Sequence, residues 1–234
     1  KGGMGRILLV HDTHIGRDVA FKQLLPEPDG EPGSAPSADL ITVPLITRFL
    51  QEARITGQLE HPSIVPVYEL GCRPDGSLYH TMRLVKGRTL EEEIAARPDL
   101  SDRLALLPHF LDLCQAVAYA HNRGVIHRDL RPINVMIGGF GETALIDWSI
   151  AKVRGVADIH AEELRGTVER MRTADAECTV KSAYGQSPAS PYYMPPEQAA
   201  GNLDAVDERS DIYALGTVLY HILTGHPPYG GLTV

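Results

Sequence analysis

Between two apolar runs, Val125-Ile126 and Val135-Met136-Ile137, the chain sets the octet His127-Arg128-Asp129-Leu130-Arg131-Pro132-Ile133-Asn134. The flanks predict short buried strands, and the polar octet between them a loop fixed at both ends by the core. Pro132 locks its own φ and excludes regular helix through the loop. One carboxylate, three cations or near-cations and one carboxamide are thereby crowded together, and Asp129 and Asn134 point at the same small volume from opposite ends of the turn. A base and a metal ligand would use that geometry, and loops held in this way are where chemistry tends to sit.

The rest of the chain has to supply the core. With 234 residues, 43% of them hydrophobic and 22% charged, it is long enough for one domain or a two-lobed one and has an ordinary globular composition. A formal net charge of −8 argues against nonspecific nucleic-acid or anionic-membrane binding, since both need a basic surface. Cys72, Cys114 and Cys178 are far apart and form no CxxC pair, so neither a disulfide framework nor a zinc site is expected, and a reducing cytoplasm fits best. No apolar run reaches the length of a membrane span, and the start has no signal-peptide pattern.

Periodicity outlines the other elements. The glycines of Lys1-Gly2-Gly3-Met4-Gly5-Arg6 precede the strand Ile7-Leu8-Leu9-Val10, whereas a dinucleotide fingerprint has its strand before the glycines and a helix after them. Arg17 to Leu24 reads as a strand, and Pro26 to Asp39 as a surface loop. From Leu45 to Leu59 the pattern is helical and places Glu52 on the apolar side with Phe49 and Thr56, where an unpaired carboxylate is costly. Ile64 to Tyr68 and Leu78 to Val85 read as strands joined by a turn at Pro74 to Ser77, and Thr89-Leu90-Glu91-Glu92 as a capping box. Leu104 to Arg123 reads as an amphipathic helix that Pro108 either kinks or starts. Thr143 to Ile146 is a strand delivering Asp147, Lys152 to Ser190 has little periodicity, and Asp211 opens an apolar helix that Gly225 ends. His109, His121 and His226 read as surface or satisfied core histidines, and His11 and His14 as non-ligands.

The octet resembles the catalytic loop H-R-D-L-x-x-x-N of eukaryotic-type protein kinases, as found in bacteria, and Asp147-Trp148-Ser149 stands where that family has D-F-G. Gly2 and Gly5 match the second and third glycines of its glycine-rich loop, with Gly3 between them and Ile7 in the Val position. Val19-Ala20-Phe21-Lys22 is similar to V-A-x-K, and Pro195-Pro196-Glu197 to A-P-E. The resemblance implies an α+β, two-lobed fold truncated at both ends. Residues 1–86 would form a small antiparallel sheet with one helix, and residues 87–234 a larger, mainly helical lobe. It also implies ATP and Mg2+ as cofactors and protein substrates phosphorylated on Ser or Thr. In that pattern Lys22 holds the α and β phosphates and is held by Glu52, Asn134 and Asp147 ligate the metal, and Asp129 accepts or orients the substrate hydroxyl. Gly2, Gly3, Gly5, Ile7 and Ala20 would then line the nucleotide, with Met82 at the back of the adenine pocket and the backbone of Arg83 to Val85 as the hinge.

Departures from the pattern carry expectations of their own. Arg131 replaces a lysine near the γ-phosphate, and a guanidinium binds as a fork where an ammonium binds as a point. Pro132 favours Ser/Thr over Tyr specificity. Ser149 replaces a glycine, so its Cβ should restrict the switching of Asp147. Arg128 would pair with a phosphorylated activation segment, with Thr167, Thr173, Thr179 or Ser182 as acceptors of autophosphorylation. Glu197, left without the arginine that the family supplies later, would be an unpaired buried carboxylate costing about 3–5 kcal/mol. A pseudokinase that binds nucleotide as a signalling scaffold stands as the alternative. Small-molecule phosphotransferases of related fold come last, because Arg128 and the Pro-Pro-Glu anchor are not expected in them.

Overall fold

The computed structural model describes residues 5–25, 43–173 and 191–229. In chain order these form β1 (Gly5–Asp12), β2 (Arg17–Leu24), α1 (Val43–Gly57), β3 (Val67–Cys72), β4 (Leu78–Arg83), β5 (Gly87–Thr89), α2 (Leu90–Ala95), α3 (Leu100–Arg103), α4 (Leu107–Asn122), β6 (Val125–Ile126), β7 (Val135–Gly138), β8 (Thr143–Leu145), β9 (Lys152–Val153), α5 (Ala161–Thr173), α6 (Pro196–Ala199) and α7 (Glu208–Thr224). The first four strands make an antiparallel sheet in the order β1-β2-β4-β3, and helices dominate the chain beyond β5. The result is the expected two-lobed α+β arrangement.

Register decides which side chains of the sheet act together. Ile7, Lys22 and His80 form one cross-strand row and Leu9, Ala20 and Met82 the next, so all six share a face. Helix α1 covers part of that face with Leu45 and Phe49, which pack on Leu24, while the Phe49 ring meets His80 at 5.0 Å between centroids. Burial and the neighbouring Lys22 charge push His80 down to about 3, so its ring is neutral here.

A larger core joins the two parts. Ile55, Leu59 and Ile64 belong to the same cluster as Leu113, Val117, Leu145, Trp148, Val218 and Ile222. The segment between α1 and β3 is hydrogen-bonded to β8, with Leu145 N donating to Ser63 O at 2.7 Å and Val65 N donating to Leu145 O at 3.3 Å. Ile64 forms a parallel bridge to Leu145 rather than opening a strand, so β3 starts at Val67.

Local chemistry accounts for most boundaries. Thr89 and Glu92 form the anticipated capping box on α2. Pro108 lies in the first turn of α4, where a missing N–H costs nothing, and a short 3-10 helix at Leu104–Leu106 precedes it, so the later start is the one adopted. Gly225 closes α7 with φ 79°, a conformation open to glycine without a Cβ penalty. Two expectations need correction. Helix α1 runs from Val43 to Gly57, two residues earlier at each end than periodicity indicated. Residues 161–173, expected to be irregular, form α5, held by Leu164 against Ile150, Leu203 and Val206. The loop Pro26 to Asp39 lies outside the described residues.

Candidate active site

The octet is a loop between β6 and β7, and its polar side chains point inward. Asn134 Nδ2 donates to Asp129 O at 2.8 Å and to Asp129 Oδ2 at 2.9 Å. Arg131 Nε lies 3.4 Å from the same Oδ2. Burial, with the charge of Asp147 adding to it, pushes Asp129 up to about 6 against the pull of Arg131 and the Asn134 hydrogen bond. A carboxylate poised there exchanges a proton near neutral pH.

Asp147 follows β8 and is tied to the loop through Ile146 N, which donates to Asn134 O at 2.9 Å. Its own backbone has φ 66°, and Arg128 has φ 68°. Left-handed non-glycine residues cost of order 1–3 kcal/mol and persist where the surroundings over-determine them. Ser149 N donates to Asp147 Oδ1 at 3.3 Å. Burial works to raise the Asp147 carboxyl, but Lys22 and the Ser149 hydrogen bond outweigh it and hold the group below its ordinary value.

Across from the loop, β2 presents Lys22, whose Nζ donates to Glu52 Oε1 at 2.5 Å, with both side chains almost fully buried. Desolvation works to discharge the lysine, yet Glu52 and then Asp147 outweigh it, so the ammonium is held above its ordinary value. The apolar parity of α1 indicated that Glu52 needs a cation and the family resemblance supplied Lys22, and the charges of Asp147 and Lys22 couple the sheet to the octet.

Gly5 opens β1 at a close approach: a Cβ there would lie 2.1 Å from Gln23 O, so only glycine fits. Gly2 and Gly3 lie outside the described residues. Ile7 is exposed, and Ala20 sits beside Met82 on the Lys22 face. Arg83 N donates to Pro66 O at 3.1 Å, whereas the backbone N–H and C=O of Val85 meet no protein partner among the described residues.

The residues fit a hard divalent cation with phosphates. Asn134 spends its amide nitrogen on Asp129, so its carbonyl oxygen remains for another ligand, and its backbone is bonded to Ile146, the residue before Asp147. Among the described residues no group of three or more His, Cys, Asp or Glu gathers for a metal, so a shared protein–phosphate–water shell suits this site better than an all-protein cage.

Two expectations are corrected here, those for Arg128 and Glu197. Arg128 does not wait for a partner: Nη1 and Nη2 donate to Asp158 Oδ2 at 2.5 Å and Oδ1 at 3.2 Å. Ser149 keeps a φ outside the left-handed region, so in this arrangement its Cβ strains nothing. Glu197 is half-buried rather than buried and accepts a hydrogen bond from the Ser210 hydroxyl, so the cost expected for a lone carboxylate does not apply.

Two supporting residues escaped the sequence reading. Asp211, in the first turn of α7, accepts His127 N at 2.8 Å, Arg128 N at 2.9 Å and His121 Nε2 at 2.7 Å. Gln198 Nε2 donates to Arg128 O at 3.2 Å. Both clamp the strained Arg128 backbone. A buried acid just inside an apolar helix was the available signal for Asp211; Gln198 had none. Trp148 was placed but not its contact, a tilted packing on the His127 ring at 4.6 Å.

Comparison with known proteins agrees with this geometry. The protein kinase domain profile matches residues 1–233. The chain is similar to the serine/threonine-protein kinase PknD of Protochlamydia amoebophila (strain UWE25), with 36% identity over 242 residues, covering 98% of this chain and 22% of that protein. It is also similar to PknD of Chlamydia muridarum (34% over 241 residues, 98% and 24%) and of Chlamydia trachomatis serovar D (35% over 242 residues, 98% and 24%). The chain thus spans less than a quarter of the length of these relatives.

Proposed function

The chain belongs to the protein kinase domain family, and on that premise we propose that it transfers the γ-phosphoryl group of ATP to serine and threonine hydroxyls of protein substrates, with Mg2+ as cofactor. The observation that carries the reading is the buried Lys22–Glu52 contact of 2.5 Å whose ammonium also senses Asp147. A buried cation paired with one carboxylate and held charged by a second is preorganised for polyphosphate, and phosphoryl transfer depends on positioning and charge more than on covalent help.

Residues 1–86 would hold the nucleotide and residues 87–234 the substrate. Lys22 would orient the α and β phosphates, and the free backbone groups of Val85 suit the adenine edge, with Met82 behind and Ile7 and Ala20, which share one face of the sheet, covering it from the same side. Asn134 and Asp147 would hold Mg2+, which when bound supplies neutralisation of phosphate charge. The substrate oxygen forms its bond to the γ-phosphorus as the bond to the bridging oxygen breaks, ADP leaves, and Asp129 takes the hydroxyl proton. Arg131, beside Asp129, faces the charge that develops on the transferred group. Autophosphorylation is placed in the segment after Asp147, where Thr167 and Thr173 fall in α5 and Thr179 and Ser182 lie outside the described residues.

Cys72 and Cys114 are free thiols, as a reducing cytoplasm allows. Among the described residues no helix is long and apolar enough to cross a membrane.

Transfer of labelled γ-phosphate by the full-length protein, beside its Asp129→Asn variant, tests the proposal. A drop of about 100-fold or more is expected for the variant. Equal silence of both proteins with ATP still bound would transfer the case to the scaffold reading.

A further inference from the structure

In this chain the site that a phosphorylated side chain would occupy against Arg128 is already filled. The Arg128 guanidinium gives Nε to Ile150 O at 2.6 Å and both Nη groups to the Asp158 carboxylate, and its side chain is 0% exposed. Two parallel N–H bonds are the fork a guanidinium offers to carboxylate and phosphate alike. A phosphate would therefore have to evict Asp158.

The surrounding charges are also balanced without one. His160 is buried between Arg128 and Arg48, and Arg48 is paired with Glu163 of α5. Burial and the two arginines push His160 down to about 4, so it adds no positive charge. Among the described residues each of these two guanidinium groups has a carboxylate partner, and a phosphate bearing about −1.5 to −2 would add negative charge to this half-dry cluster.

Asp158 also starts the structure that reaches the other lobe. Its Oδ1 accepts His160 N at 3.0 Å, and Leu164 N then donates to His160 O at 3.0 Å as α5 begins. One turn into α5, Glu163 meets Arg48 on α1, and one turn along α1 from Arg48 stands Glu52, the partner of Lys22. Side-chain contacts joined by single turns of α5 and α1 thus link the catalytic loop through Asp158 and Glu163 to Lys22.

We propose that Asp158 is a positioning residue that stands in place of a phosphorylated side chain, so that phosphoryl transfer by this chain, resting on the function proposed above, needs no phosphate on its activation segment. Phosphorylation of that segment is then a product of activity and not its condition.

The test takes the full-length protein, stripped by phosphatase and verified by mass spectrometry, on a mixed Ser/Thr peptide library. The stripped wild type is expected to start without a lag and within about 3-fold of the untreated rate, while Asp158→Asn loses about 10-fold or more in kcat with KM for ATP changed less than about 3-fold, and Asp158→Glu recovers most of the loss. A stripped wild type that falls 10-fold and recovers with a lag, or an Asp158→Asn variant with full kcat, overturns the proposal; the first arm needs no variant and so does not depend on one folding. Silence of every form with ATP bound would instead bring down the proposed function, and amide exchange then decides for Asp158. A rise of about 10-fold at residues 156–166 in Asp158→Asn upholds its positioning role, and unchanged exchange removes it.

Discussion

Asp211 accepts the backbone N–H of Arg128 at 2.9 Å although 83 positions separate them. The same carboxylate takes the N–H of His127, and Arg128 is one of the few non-glycine residues with a left-handed backbone. Removing the acid would leave two buried donors facing nothing at the point where the loop is most strained. Asp211→Ala is expected to cost about 2–4 kcal/mol of stability, read by urea unfolding at pH 7. A loss under about 0.5 kcal/mol would show that the clamp is dispensable.

Asp129 should carry a stability penalty for its function. Its folded-state value of about 6 lies above the ordinary 3.8, so the fold disfavours the ionised form and binds the proton more tightly than the unfolded chain does. The protonated group's contribution is complete below 3.8 and is lost as pH rises through about 6. Asp129→Asn is therefore expected to be more stable than wild type at pH 7.5 by about 1–3 kcal/mol, with the gain shrinking towards pH 4. Unfolding curves at the two pH values check this, and a variant less stable at pH 7.5 speaks against it. In the wild type, transfer should fall as pH drops through about 6, because Asp129 then holds the proton it needs to accept.

Lys22 and Glu52 should behave as one unit. Lys22→Met strands the buried Glu52 carboxylate and takes the nearby cation from the half-buried Asp147, and is expected to cost about 3–5 kcal/mol, whereas Lys22→Met with Glu52→Leu should recover a large part of the loss without restoring transfer. A double-mutant cycle that returns a coupling near zero would mean the pair is not coupled in solution.

Ser149 occupies a backbone conformation that any residue adopts, so glycine is not required for the arrangement observed. Ser149→Gly is expected to leave ATP affinity within about 3-fold and to change stability by less than about 1 kcal/mol, while shifting the extent of activation through easier movement of Asp147. Isothermal titration beside progress curves separates the two. Equal changes in affinity and activation would count against this reading.

What could be read from the sequence obeyed a physical rule. The α1 periodicity put Glu52 on the apolar side and so called for a cation, the resemblance supplied Lys22 as that cation, and the octet carried its own loop geometry, so those positions were legible before the fold was known. Asp158 was not, because its partner Arg128 lies 30 positions away and its own segment shows no period. Helix α5 was missed because Gly166 interrupts a stripe with few apolar residues, and the surface that stabilises it, Leu203 and Val206, comes much later in the chain. Glu197 was assigned a distant arginine, whereas a hydroxyl on the first turn of α7 satisfies it. Local pattern encodes the faces of elements; which far-off polar group meets which depends on tertiary packing that one sequence does not display.

The seam that ties Ser63 and Val65 to Leu145 sits just past the end of α1. Pinned there, the 15-residue helix acts as a lever about 22 Å long with its fulcrum at the Gly57 end. Glu52 lies about a third of the way out, so a swing of ~3 Å at Val43 displaces it by only ~1 Å. That small arc is still enough to pull apart a contact as short as the one to Lys22, while Arg48, farther out, travels more. Any partner that grips the far tip of α1 therefore works with mechanical advantage over the phosphate-facing lysine.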